Sequence, residues 1–113
     1  SAGHPPVIYI PVDGIPQTIS LSGDILGIFG NVTLEMLEMK VKKGDRFYLY
    51  TDGIIESDGK NDISRETGLS NLTEQIELIR DFPVDKGIEL IINNLFGNNP
   101  MLKDDILLLG FEV

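Results

Sequence analysis

The sequence contains no cysteine. That excludes disulfide staples, thiolate metal centres and a cysteine nucleophile. Positive charge is scarce: 9 Lys and Arg against 18 Asp and Glu leave a net charge of −9 over 113 residues. Nucleic acid and anionic membrane surfaces both require a basic patch, so neither is an expected partner. No apolar run approaches the roughly 20 residues needed to span a bilayer. The start, Ser1-Ala2-Gly3, lacks the basic and apolar regions of a secretory signal. A cytoplasmic setting is the expectation, and a membrane anchor would have to belong to a longer parent protein. Repeats, low-complexity tracts and clear linkers are absent too. The length allows one domain or a piece of one, and a hydrophobic content of 42% supports a core.

The segment from Gly44 to Ser57, GDRFYLYTDGIIES, is the most informative stretch present. Arg46 to Thr51 reads as a strand, with Phe47, Leu49 and Thr51 on one face and Arg46, Tyr48 and Tyr50 on the other. Asp52 then stands where the strand stops, and Gly53 lets the backbone approach whatever Asp52 holds. Two readings are open here. A carboxylate on a strand end is a hard-oxygen ligand for magnesium or manganese. Asp-Gly is equally a hairpin turn. A second acidic pair, Asp104-Asp105, precedes the apolar run Ile106 to Leu109, which reads as a buried strand. The plain alternative for this pair is a solvated turn, and spacing alone does not make the two acidic places converge.

The rest of the chain reads as α+β. Val7 to Val12 and Gln17 to Leu21 form a predicted hairpin. Leu34 to Val41 reads as a strand with an irregularity near Glu35, turning through Lys43-Gly44-Asp45 into the strand that carries Asp52. Ser57 to Arg65 is a polar loop. Its acids do not fit a calcium loop, because aligning Gly59 puts Ile54 and Arg65 at ligand places. Leu69, Leu72, Ile76 and Ile79 recur at helical spacing. Beyond Pro83, Val84, Ile88, Ile91, Ile92 and Leu95 form a second stripe that ends at Gly97. Ile106 to Val113 closes the sheet.

Four stretches in order carry a family resemblance: Ala2-Gly3-His4-Pro5-Pro6, Leu26-Gly27, Gly44-Asp45-Arg46 running into Tyr50-Thr51-Asp52-Gly53 with Glu56, and Asp104-Asp105-Ile106. Together they resemble the C-terminal half of the stage II sporulation protein E-like phosphatases, a bacterial branch of the metal-dependent PPM-type serine/threonine phosphatases. The resemblance covers nearly the whole chain. It implies a partial PPM-type fold, in which antiparallel sheet packs with two helices over residues 1–113. The N-terminal half, with its own acidic motif, would lie outside. One departure shows: Leu107 stands where the family usually has threonine.

The same resemblance implies hydrolysis of a phosphoserine or phosphothreonine monoester by water activated on two Mn2+ or Mg2+ ions, so no protein nucleophile is needed. Asp52 and Asp104 match the metal ligands, and Gly53 lies beside the metal. Asp105 and Glu56 are near-site acids, and Glu56 is placed to orient water or simply to stand in an exposed loop. His4 reads first as a turn residue and second as a general acid. Asp45 is a turn residue, and Arg46 is expected to pair with a carboxylate. The implied partner is a phosphorylated protein such as an anti-sigma-factor antagonist in a partner-switching pathway. The segment alone is expected to be inactive, to bind metal weakly, and to self-associate through bare edges or apolar faces. The competing function is a non-catalytic interaction module derived from a phosphatase.

Overall fold

The computed structural model describes residues 5–20, 38–56, 62–97 and 106–113. It contains strands β1 (Val7–Ile10), β2 (Gln17–Ile19), β3 (Arg46–Tyr50) and β4 (Leu108–Glu112), and helices α1 (Arg65–Leu78) and α2 (Val84–Phe96). The strands form one antiparallel sheet in the order β2-β1-β3-β4. The fold is α+β, as expected.

Strand alternation sorts the sheet into two faces. Ile8 and Ile10 of β1 and Tyr48 and Tyr50 of β3 point to the helices and are buried. Leu72, Ile76 and Ile79, with Ile91 and Phe96, complete that core. The helical stripes read from the sequence are therefore core faces. On the opposite face Tyr9, Phe47 and Phe111 stack in a row across three strands, with ring centroids 4.8 and 5.2 Å apart. Such cross-strand aromatic pairs stabilise a sheet beyond their area.

Helix α1 starts at Ser64, whose hydroxyl accepts the Thr67 N–H and so caps the first turn. Pro83 precedes α2, and Gly97 ends it at φ 65°. Gly68 in α1 lies against the backbone of Ile55, and a Cβ there would collide with the Ile55 carbonyl. Only glycine lets the helix sit this close to the turn that follows β3.

Three expectations change. The strand predicted for Leu34 to Val41 is absent over Glu38 to Val41, where the described chain is exposed and irregular; its first part lies outside the described residues. The cause is visible in β3: one of its edges is taken by β1 and the other by β4. The Asp45 carboxylate also accepts the Lys42 N–H at 2.9 Å and folds residues 42–45 into a turn. Secondly, the run from Ile106 is not a buried strand. β4 stands at the end of the sheet order, and Leu107, Leu109 and Phe111 are 61%, 53% and 47% exposed. Its other side, Ile106 and Leu108, packs on the helical core. Thirdly, Asp52-Gly53 does not close a hairpin; it opens a single 3₁₀ turn, Asp52–Ile54.

Candidate functional site

Asp52 follows β3 closely, and the turn it opens is held by Ile54 N–H to Thr51 carbonyl and Ile55 N–H to Asp52 carbonyl bonds of 3.1 and 3.0 Å. Ile54 and Ile55 are buried and anchor this turn in the core. Thr51 ties the end of β3 to the chain entering β4. Its N–H donates to the Leu107 carbonyl and its Oγ1 accepts the Leu107 N–H, both at 3.0 Å. Position 107 is thus used through its backbone while its side chain faces solvent, which accounts for leucine being tolerated there.

The Asp52 side chain is half exposed, and Arg65 Nη2 donates to its Oδ1 at 2.7 Å. Arg65 is the first residue of α1, so the Gly68–Ile55 contact and the Ser64 cap fix where this guanidinium starts. Behind the pair lies Tyr50. Burial pushes its phenol up to about 12; the Asp52 charge adds to this and the Arg65 charge opposes it. The hydroxyl is therefore neutral throughout the physiological range. Glu56 is partly buried, and its carbonyl accepts the Ile63 N–H at 3.1 Å, joining the turn to the start of α1. Gly53 sits inside the 3₁₀ turn. His4, Asp104 and Asp105 lie outside the described residues.

At the far end of β3 a second acidic side chain has a different role. Asp45 is buried and accepts hydrogen bonds from Tyr9 Oη, Val12 N–H and Lys42 N–H at 2.8, 2.8 and 2.9 Å. The backbone donors of Lys42 and Val12 hold its carboxyl below the usual carboxylate range. Arg46 pairs with Glu112 at 2.9 Å, as expected, and also donates to the carbonyls of Ile79 and Phe82. Asp45 and Arg46 are structural staples, set apart from Asp52 by the length of the strand.

A hard carboxylate on a rigid strand end, half open to solvent, suits Mg2+ or Mn2+. Among the described residues no three or more His, Cys, Asp or Glu gather to hold an ion. Asp52 therefore fits as one ligand of a set and not as the whole of it. Sequence reasoning found Asp52 but missed Arg65 and Tyr50. Tyr50 was legible as the inward neighbour of Asp52; Arg65, at the end of a polar loop, was not.

The family model for stage II sporulation protein E (SpoIIE) matches residues 1–113. The chain belongs to the SpoIIE family. No curated protein matches it. Among solved structures, the RsbU and RsbW domains of Rv1364c from Mycobacterium tuberculosis are similar, with 26% identity and a TM-score of 0.66. That match covers 99% of this chain and 30% of the other, so the chain spans less than a third of the solved chain's length. This member of the family thus has an α+β fold that matches part of a solved chain of RsbU and RsbW domains.

Proposed function

We propose that this SpoIIE-family chain is the C-terminal part of a metal-dependent protein serine/threonine phosphatase domain, with Asp52 and Asp104 as metal ligands. The observation that carries this reading is the pair of Thr51–Leu107 hydrogen bonds. Thr51 is next to Asp52, and Leu107 is three residues from Asp104, a chain reach of about 10 Å. That tie holds Leu107 at the sheet end where Asp52 follows β3, and it supports the reading that the acidic pair shortly before Leu107 serves the same site. Gly53 keeps the backbone slim beside Asp52, and Glu56 follows on the same turn.

When bound, Mg2+ or Mn2+ acidifies water and neutralises phosphoryl oxygens. The chain's own contribution is placement. Asp52 presents carboxylate oxygens from a turn anchored by Ile54 and Ile55, and Thr51 fixes the register that brings the β4 side alongside. Water adds to phosphorus, the bond to the serine or threonine oxygen breaks, and that oxygen leaves with a proton. A phosphorylated protein of the anti-sigma-factor-antagonist kind, in a cytoplasmic partner-switching pathway, is the substrate that fits the family.

The test uses the full-length protein with manganese and an aryl phosphate. Asp52→Asn and Asp104→Asn each abolish turnover while the circular dichroism spectrum is unchanged. Near-normal turnover in either variant removes that residue from the site. Lack of manganese-dependent hydrolysis in the unaltered protein supports the interaction-module reading instead.

A further inference from the structure

Arg65 is not a ligand in the proposed metal site, yet among the described residues it is the basic residue paired with Asp52. The other arginines of the chain are committed elsewhere. Arg46 is nearly buried on Glu112 and two carbonyls. Arg80 donates to Glu77 and to the carbonyls of Pro11 and Gly14. Arg65 instead extends from the first turn of α1 to Asp52, and its side chain is 56% exposed. A pair this open adds little to stability, so stability is a poor account of its placement.

The placement itself is rigid at its base. Ser64 caps the helix through Thr67, and the Gly68 N–H donates to the Ser64 carbonyl at 2.9 Å. Gly68 in turn lies against the Ile55 backbone, three residues beyond Asp52. Helix and turn are thus locked together by a backbone contact that tolerates no side chain. The guanidinium has five N–H donors in a planar fork. One reaches Asp52 Oδ1, and more than half of the side chain surface faces solvent.

We propose that Arg65 is the phosphate-anchoring residue of this site: its guanidinium binds the phosphoryl oxygens of the substrate next to the cation held by Asp52. The inference rests on the phosphatase reading above and adds the residue that receives the anion. The charge balance favours such a residue beside the cation. A chain with net charge −9 repels a phosphate dianion, and arginine meets phosphate with two parallel hydrogen bonds where lysine offers a point charge. Asp52 holds the guanidinium in position while the phosphate is absent and shares it when the phosphate arrives.

The experiment compares full-length wild type, Arg65→Gln and Arg65→Lys. Three quantities are read: inorganic phosphate affinity by calorimetry with manganese present, KM and kcat for an aryl phosphate, and manganese affinity by electron paramagnetic resonance. Arg65→Gln weakens phosphate binding and raises KM about tenfold, the loss expected for a charge-assisted bidentate contact. Arg65→Lys recovers part of both, and manganese binds at least as tightly as in wild type. Unchanged phosphate affinity in Arg65→Gln overturns the proposal, and so does a loss confined to manganese affinity. Asp52→Asn, run alongside, reports on the metal assignment separately. If turnover survives that change, the metal site is wrong, and the calorimetric phosphate affinity of Arg65→Gln still decides whether Arg65 binds the anion.

Discussion

Tyr50 and Asp45 show at the scale of single residues how the same strand carries opposite electrostatic demands at its two ends. The Tyr50 phenol is enclosed by the core and titrates near 12 in place of 10.0. Its folded pKa lies above the unfolded one, so the stability it contributes is complete below pH 10 and is lost as pH rises toward 12. The loss amounts to about 3 kcal/mol at most. Tyr50→Phe removes this part of the alkaline slope, a change that denaturant titrations at pH 9 and pH 11.5 would detect; an unaltered slope would show that the phenol does not titrate in the core. Tyr48, also raised by burial, and Tyr9, raised by its bond to Asp45, keep a residual slope. Asp45 has the opposite sign. Its carboxyl is depressed by the Lys42 and Val12 N–H groups, so its stabilisation is present above the ordinary carboxylate pKa and disappears as pH falls below it. Asp45→Ala leaves the Tyr9 hydroxyl and two N–H groups without their acceptor. The melting temperature should fall by several degrees at pH 7, and the difference from wild type should shrink at low pH. A difference that persists unchanged at low pH would assign the effect to packing.

At the scale of elements, the glycine contact between α1 and the turn after β3 is the joint on which the site depends. Gly68→Ala forces a Cβ into the Ile55 carbonyl, and neither backbone can yield without moving the Asp52 turn or the start of α1. A cost of about 3 kcal/mol is expected, at the upper end for overpacking. Phosphate affinity should fall together with stability, because Arg65 moves with the helix. A variant as stable as wild type would mean that helix and turn are less tightly joined than the contact requires. This joint was not legible in the sequence. Gly68 falls between the polar loop and the first apolar residue of the helical stripe, and nothing in its neighbours announces a backbone crossing. By contrast, the alternation in Arg46 to Tyr50 and the two helical stripes were legible, because burial imposes their periods locally. The expected strand over Leu34 to Val41 fails over its described part, Glu38 to Val41, for a non-local reason. Met39 and Val41 alternate with charged residues as a strand would, but both edges of β3 were already occupied by β1 and β4. Asp52 could be picked out because a strand end, an aspartate and a glycine coincide; its tie to the β4 side runs through Thr51 and Leu107, which no spacing reveals.

Across the whole molecule, the helices cover one face of the sheet, and the other face carries Leu107, Leu109 and Phe111 at its β4 end, with Val113 45% exposed beyond them. Among the described residues β4 therefore combines an apolar outer face with a position at the end of the sheet order. Both features promote association, the first by burial of apolar area and the second by offering strand edges for pairing. The sequence predicts bare surfaces only through the resemblance to a larger fold, and among the described residues β4 and its flanks carry one such run of exposed apolar side chains. The purified 113-residue polypeptide is therefore expected to self-associate in a concentration-dependent way, read by sedimentation velocity. Leu109→Lys and Phe111→Lys, introduced together, should shift it toward monomer. These side chains lie outside the helical core, so helix content should be retained. The same polypeptide should show negligible manganese-dependent hydrolysis, because the two proposed ligands, Asp52 and Asp104, would leave most positions around an octahedral cation to water. Association and activity are separable in this test. Monomeric Leu109→Lys/Phe111→Lys protein that remains inactive places the deficit in the ligand set, whereas activity restored on becoming monomeric would mean that self-association had blocked a site already complete within these 113 residues.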